Sequence, residues 1–431
     1  MSGIAEILIN IGYEVSGSDL RASEQTKRLE SLGCKIFIGH SSSNILDYNV
    51  VVTSSAIDTN NPEIIEARKR KIPIIHRSEM LAELVRLKHG IGIAGTHGKT
   101  TTSSMLASVL SDGGMNPTAI IGGKVFNFGS NARVGQGEYI VFEADESDGS
   151  FLKLLPSIAI VTNIDADHLD HYKYFEGLKE AFLTYINNIP FYGYSVLCTD
   201  DEVIRELLPR IERPYCTYGF NDDADFTAHK IRMENGKTCF TCNYKKKPIG
   251  DFILSQLGNH NVLNSLSVIA VALEIGLKYE AIRDGLKNFE GVGRRLEQIG
   301  EKNNILVMDD YGHHPTEIRA TLSALKNLGR RIVVIFQPHR YSRTKNLYKE
   351  FGKSFSRADS VSVLDIYPAG EPPLPGITSQ LIINSAKENK VAAKKFTDLK
   401  DFKKTLSAGD IVLTLGAGDV WKKGEEILNG R

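Results

Sequence analysis

Cysteine is scarce: five residues in a chain of 431, an odd count spread too thinly for a disulfide framework. That usage fits a reducing, cytoplasmic setting. Excess charge of either sign is also missing. Lys plus Arg and Asp plus Glu each total 52, so the chain has no general pull on nucleic acid or on an anionic membrane, and anion binding must be local. No apolar run approaches the ~20 residues that cross a bilayer, and no secretory signal is read at the start. A metal knuckle lacks its second ligand pair. Cys239 and Cys242 form a CxxC in KTCFTCNYKKKP, but Cys198 and Cys216 lie singly and far off, so the pair reads as alternate residues of a β-hairpin. What is left, 42% hydrophobic and 24% charged, is an ordinary globular composition. The length corresponds to about three domains at ~150 residues each.

The richest stretch is IGIAGTHGKTTT, Ile91 to Thr102. An apolar run leads into a Gly and Thr loop, and TTSSMLASVL then puts Met105, Leu106, Val109 and Leu110 on one helical face. Strand, tight loop and helix N-terminus together present N–H groups and a positive helix end to an anion. Lys99 would reach the outer phosphates, and the Thr100 hydroxyl would ligate Mg²⁺. The strict GxxxxGK[ST] pattern fails, because Ile93 stands where its first Gly belongs and the extra glycine is Gly95.

Three segments flank or contain this loop: 1–89, 90–293 and 294–431. Each alternates helical and strand patterns with short loops, which predicts α/β domains built on parallel sheets. In the first, Asp19 ends a strand where a carboxylate typically meets a ribose, and Ser54 and Ser55 follow another; on residue type alone, turn and cap chemistry, which Ser and Asp favour anyway, is the better explanation of all three. In the second, the strand Tyr139–Phe142 runs into Glu143, Asp145, Glu146 and Asp148. Acidic groups beyond a strand and beside a phosphate loop are where an NTPase holds Mg²⁺, and Glu143 is the best-placed ligand. His168, in TNIDADHLDHY, is a less natural Mg²⁺ ligand, since that ion prefers oxygen. Asn261 and Asn264 share a helical face and could offer amides to an adenine, though by composition alone helix capping by Asn259 is at least as good a reading of this stretch. In the third segment, His313 and His314 follow one strand, and His339, Arg340 and Arg343 follow another. Two arginines so close at a strand end suit a carboxylate or phosphate, as they do surface ion pairs.

Taken together, SGIAEIL, SGSD, AGTHGKTTT, EADESDGSF, TNIDADHLD, LGNHNVLN, GVGRR, DDYGHHPTE, FQPHRYSRT, DIYPAGE and LTLGAGDV resemble the Mur ligases, the ATP-dependent amide ligases of peptidoglycan synthesis. The likeness covers nearly the whole chain and is strongest to the branch that adds L-alanine to UDP-N-acetylmuramate. It implies a Rossmann-like N-terminal domain, a central P-loop ATPase α/β domain and a C-terminal Rossmann-like domain. It also implies ATP as co-substrate, Mg²⁺ at two sites with Mn²⁺ able to substitute, and a monomer or weak homodimer. By this resemblance Gly95, Thr96, His97, Gly98, Lys99, Thr100 and Thr101 line the nucleotide phosphates, and Asn261 and Asn264 lie near adenine. Arg295 reaches toward the phosphates and Tyr311 closes over the nucleotide. Thr100, Glu143 and His168 hold metal, and His313, Arg340 and Arg343 face the muramyl carboxylate and the incoming amino acid. Asp19, Ser54 and Ser55 fall in the UDP-binding domain.

Members of the family normally precede the MSGIA stretch with a strand and a Gly-rich turn that grips the uridine diphosphate. Neither is in this sequence, so a start placed too late or a truncated sequence is expected, and a natural variant or remnant with impaired substrate binding is one alternative. Another is the murein tripeptide recycling ligase, which shares the ATP site. A GTPase is disfavoured, because TNID supplies no NKxD base-reading motif. Linkers near His89 and Gly293, with Gly90, Gly291 and Gly293, are expected to act as hinges.

Overall fold

The computed structural model describes residues 1–54, 56–167, 169–234 and 236–429, with Leu169 and Asp170 described through their backbone alone. Ser55 and His168, both named above, lie outside the described residues. The chain divides into two compact units. The first comprises Met1–His229, Thr241–Gly250 and Leu263–Phe289; the second comprises Lys230–Phe240, Asp251–Val262 and Glu290–Arg431.

The first unit opens with α1 (Ser2–Asn10), β1 (Ser16–Asp19), α2 (Glu24–Ser31), β2 (Lys35–Ile38), β3 (Val51–Thr53), α3 (Pro62–Lys69), β4 (Ile74–His76) and α4 (Arg77–Arg86). The alternation is as expected, but among the described residues the strands form two separate parallel pairs, β1 with β2 and β3 with β4. No described strand joins β1 to β3. Ile4 and Ile7 of α1 pack with Leu84 of α4.

There follow β5 (His89–Ala94), α5 (Lys99–Asp112), β6 (Thr118–Val125), β7 (Ser130–Arg133), β8 (Tyr139–Glu143), β9 (Ile158–Val161), α6 (Leu169–Tyr172), α7 (Phe175–Asn187), β10 (Tyr194–Cys198), α8 (Glu202–Leu207) and β11 (Tyr215–Gly219). Their strand order is β11-β10-β9-β5-β8-β6-β7, parallel throughout except for β6 against β7. β5 is central, with Ile91 opposite Val141 on one side and Ile158 on the other, and a strand covered on both faces must be apolar along its whole length. β12 (Phe226–Glu234), β13 (Lys237–Tyr244), β14 (Lys247–Leu254) and α9 (Asn259–Glu274) are cut by the division between units, and α10 (Tyr279–Asn288) completes the first. Cys239 and Cys242 are buried free thiols on β13. Three residues apart on a strand, they point to opposite faces, which corrects their reading as alternate residues.

The second unit holds β15 (Glu297–Lys302), β16 (Ile305–Asp310), α11 (Pro315–Lys326), β17 (Ile332–Phe336), α12 (Tyr341–Ser354), β18 (Ser360–Val363), α13 (Gln380–Glu388), β19 (Ala393–Lys395), α14 (Leu399–Lys403), β20 (Ile411–Leu415) and α15 (Trp421–Asn429). Its sheet order is β15-β16-β20-β17-β18-β19, with only β15 antiparallel. Side chains alternate along each strand, and two cores result. Met308, Val334, Phe336 and Leu413 face α11, α12 and α13, while Val307, Val333, Ile335 and Val412 face α14 and α15. This is a doubly wound sheet with helices on both faces.

Gly90, expected at a hinge, is instead inside β5 opposite Ile140. A Cβ there would lie 2.6 Å from Val85 Cγ1, so the site is packed shut. Gly92 is tighter still: a Cβ would meet the Tyr185 hydroxyl at 2.5 Å and Phe142 Cζ at 3.0 Å. That hydroxyl is buried without a hydrogen-bond partner. Gly92→Ala should therefore cost about 1–3 kcal/mol by overpacking. Adding Tyr185→Phe, which removes the clashing oxygen and breaks no bond, should restore most of the loss in a thermal melt. Simple addition of the two effects would show that the clash lies elsewhere.

Candidate active site

β5 delivers the chain into a turn with Gly95 at φ 128° and Gly98 at φ 84°, and α5 begins at Lys99. Both glycines are required twice over, by left-handed backbone and by space. A Cβ would lie 2.1 Å from Thr162 Oγ1 at Gly95 and 2.9 Å from Asn264 Oδ1 at Gly98. The stretch after β9 clamps the loop from outside. Thr96 N donates to Asn163 O (3.1 Å), and His97 N donates to Asn163 Oδ1 (2.9 Å). His97 O accepts from Asn163 Nδ2 (3.0 Å) and Thr162 Oγ1 (2.6 Å), and Asp165 N donates to Thr96 Oγ1 (2.9 Å). His97 Nε2 lies 3.1 Å from Asp165 Oδ2. So held, the loop directs the first amides of α5 toward an anion.

Lys99, expected to reach outward to phosphates, folds back here. Its ammonium donates to Gly95 O (2.6 Å) and to both carboxylate oxygens of Glu146 (2.9 and 2.8 Å). Glu146 is fully buried. Burial works against the Lys99 charge, but Glu146, Asp145 and Glu143 outweigh it and hold the amine above its ordinary value. Asp145 shows the converse: burial pushes its carboxyl up, yet Lys99, the Ser147 bonds and Arg77 hold it below the usual range. Glu143 Oε1 accepts from Gly122 N (2.7 Å) and lies 3.5 Å from Ser103 Oγ, over the first turn of the helix that carries Thr100. Thr100 and Glu143 are an all-oxygen donor set at the phosphate loop, which suits a hard cation such as Mg²⁺. Asn264 is buried beside Gly98.

In the second unit, Arg294 and Arg295 both approach Tyr311, with guanidinium carbons 5.1 and 5.2 Å from the ring centroid. Arg294 is fixed by Asp309 (2.8 Å), Gly416 O (2.6 Å) and Gly418 O (3.0 Å). Tyr311, His313, His339 and Tyr367 form a chain of ring contacts with centroids 5.5–5.8 Å apart. Arg340 precedes α12 at φ 70°, ψ 142°, a conformation costing on the order of 1–3 kcal/mol, and its N–H is tied to Tyr367 O at 2.9 Å. Arg340 Nε and His339 Nδ1 are buried without hydrogen-bond partners, and Arg343 is buried one turn into the helix. Burial, then Arg343 and Arg340, push His339 down to about 4, so it is a neutral imidazole near pH 7. Strain, buried nitrogens without a partner and clustered cations at one strand end are features that suit an anion.

The predicted residues thus fall into two sets, Gly95–Thr101 with Glu143 and Asn264 in the first unit, and Arg295, Tyr311, His313, Arg340 and Arg343 in the second. Asn261, also of the second unit, donates to Leu257 O (2.9 Å). Asp19 accepts from Arg21 N (3.2 Å) in an exposed turn, and Ser54 follows β3 at its carboxyl end. Sequence reasoning names Glu146 and His339 without giving either a role, and it passes over Asn163 and Asp165. Glu146, Asn163 and Asp165 lie in acidic or amide-rich stretches already singled out, but no spacing rule says which member turns inward.

Glycine loop, buried lysine and acidic cluster at the carboxyl ends of parallel strands define an enzyme of the P-loop nucleotide-binding class. Residues 1–89 match the Mur ligase family catalytic domain, 93–272 the Mur ligase middle domain, and 294–418 the Mur ligase glutamate ligase domain. The UDP-N-acetylmuramate–L-alanine ligase of Endomicrobium trichonymphae is 56% identical over 99% of this chain and 96% of its own length. That of Geobacter sp. (strain M21) is 52% identical over 99% and 94%. The solved UDP-N-acetylmuramate–alanine ligase from Thermotoga maritima superposes with a TM-score of 0.84 at 30% identity, covering 100% of this chain and 96% of that one. A murein peptide ligase from Psychrobacter arcticus gives 0.72 at 25% identity, covering 100% and 96%. The chain belongs to the Mur ligase family.

One buried group carries a pH signature. Burial pushes Asp310 up to about 6, against the pull of Arg295 and the bonds from Leu296 and Gly312. A carboxyl raised above its unfolded value of about 3.9 favours folding most below that pH, and its contribution is lost as pH rises through the folded value. The melting temperature of Asp310→Asn minus that of the wild type should therefore climb between about pH 4 and pH 6. A flat or falling difference would contradict the assignment.

Proposed function

We propose that the chain joins L-alanine to the carboxylate of UDP-N-acetylmuramate at the expense of ATP, giving UDP-N-acetylmuramoyl-L-alanine, ADP and phosphate. The observation that carries this reading is full-length identity of 56% to a ligase of that name. The Thermotoga alanine ligase also superposes better than the murein peptide ligase, 0.84 against 0.72, which favours free alanine over a ready-made peptide as the amine donor.

The carboxylate oxygen of the muramyl group attacks the γ-phosphorus of ATP, the bond to the bridging oxygen breaks, and ADP leaves. The alanine amine then attacks the acyl phosphate carbonyl, losing its proton as the C–N bond forms, and inorganic phosphate departs. Bringing a carboxylate to a triphosphate concentrates negative charge, so the residues that matter are those that supply positive charge in a fixed place. Gly95 to Thr101 cradle the phosphates, and Lys99 exchanges Glu146 for β- and γ-phosphate oxygens. Thr100 and Glu143 would hold Mg²⁺, with His168 assigned to a second ion; bound there, the metal neutralises phosphate charge. Asn264 and Asn261 lie toward the base, and Arg295 and Tyr311 serve the nucleotide from the C-terminal part. His313, Arg340 and Arg343 take the carboxylate and the amino acid; Arg340 offers an orphaned donor for it. Asp19, Ser54 and Ser55 belong to the uridine end. The working divisions are 1–89, 90–293 and 294–431, and a cytoplasmic location suits both nucleotide substrates.

The test is a ligation assay with UDP-N-acetylmuramate, ATP and radiolabelled L-alanine. Labelled nucleotide product with alanine supports the reading; product only with the tripeptide, or ATP hydrolysis indifferent to both acceptors, would overturn it. Within an active preparation, Lys99→Met should lower kcat by at least about 100-fold, the scale of losing one preorganised charge donor. A loss below tenfold would remove Lys99 from its assigned role.

A further inference from the structure

Arg77 opens α4 at the carboxyl end of β4, whose register with β3 sets Thr53 opposite His76 and so places Arg77 near Ser54. Its guanidinium lies 3.4 Å from Asp145 Oδ2, and both side chains are 39% exposed, so the pair is open to solvent and loosely made. Asp145 in turn interacts with Lys99. Arg77 also stands close enough to the start of α1 to act on the amino group of Met1. The cation thus bridges the N-terminal strand ends, where the nucleotide-sugar is expected, and the acidic turn beside the phosphate loop. Its helix is fastened independently: Glu79, two residues on, pairs with Lys153 at 2.7 Å, and Val85 packs over Gly90.

We infer that Arg77 is a substrate-binding residue, and that its guanidinium leaves Asp145 to take the carboxylate of the acceptor substrate as that group approaches the γ-phosphate. This rests on the ligase reading above. Three observations support it. A planar guanidinium fits a carboxylate bidentately. A partner at 3.4 Å on a half-exposed carboxylate is readily given up. And the substrate group that must come nearest to Lys99 is the carboxylate, not the sugar or the uridine. Asp145 would act as a parking place that keeps the cation aimed at the reaction centre while the site awaits substrate.

The variants are Arg77→Gln, Arg77→Lys and, as a control on docking of the helix, Lys153→Met, which breaks the neighbouring ion pair and leaves Arg77 in place. Loss of a charge-assisted bond corresponds to about a 10- to 100-fold rise in KM for UDP-N-acetylmuramate in Arg77→Gln. The KM for ATP should stay within about twofold, since no contact to ATP is lost. Arg77→Lys should recover part of the loss, and Lys153→Met should leave the KM unchanged. Calorimetry with UDP-N-acetylglucosamine, which carries the same nucleotide without the carboxylate, should give equal affinity for wild type and Arg77→Gln. Equal weakening of that probe would assign Arg77 to the diphosphate and overturn the proposal. A KM rise as large in Lys153→Met, or none in Arg77→Gln, would overturn it as well. A wild type that binds UDP-N-acetylmuramate normally yet shows no Arg77 effect sinks this inference alone; a wild type that binds none sinks the ligase reading with it.

Discussion

Everything chemical in the first unit hangs on one tight turn between β5 and α5. It is tight because Thr162 and Asn163, at the end of the neighbouring strand, occupy the volume that a side chain at Gly95 would need, and Asn264 occupies the volume that one at Gly98 would need. The turn cannot widen, since Asn163 holds His97 through both its amide and its carbonyl. Nor can the strand beneath it shift, with β8 and β9 paired on either side. From Thr102 to Leu110 the helix above is buried at every position, so its first turn is fixed as firmly as the strand. A stretch of backbone that would be mobile on a surface is thereby as rigid as a core element. That rigidity is what lets amide dipoles act on an anion without reorganising.

Much of this was legible in the sequence. Apolar runs marked β5, β8 and β9, and GTHGKT marked the turn, because glycine spacing and strand-to-helix order are local properties. What the sequence withheld was the inward or outward turn of individual polar residues. Glu143, Asp145 and Glu146 are near neighbours in one loop, yet Glu146 alone is fully buried against the lysine, and Asp145 faces an arginine from another helix. Such choices depend on which distant segment arrives opposite, and no periodicity encodes that. Gly90 failed for the same reason: glycine permits a hinge, but here it admits Val85. The split of the first strands into two parallel pairs was likewise invisible to alternation, which fixes element type and not which strands meet.

The second unit solves a different problem with similar means. Its sheet is sealed on both faces by two apolar layers, leaving the strand ends as the place for polar chemistry. There the chain's balanced charge is resolved into local excess. Arg294 is neutralised by Asp309 and two carbonyls, while Arg340 keeps a buried Nε without a partner. One arginine is architectural and the other is available, and only their surroundings tell them apart. His339, held neutral between arginines and stacked on Tyr367, adds a polar ring without adding charge.

The salt bridge between Lys99 and Glu146 makes the phosphate loop a site with its own counter-ion. Under the proposed role of Lys99, an incoming phosphate would not meet a bare cation; it would have to displace a resident carboxylate that cannot diffuse away. Binding would then be an exchange of anions, its free energy the difference between two charge-assisted contacts. Small dianions such as sulfate, which offer no adenine or ribose to tip that exchange, would compete poorly for such a loop. Selectivity for a whole nucleotide over its phosphate fragments would in this way be built into the resting state, before any residue touches the base.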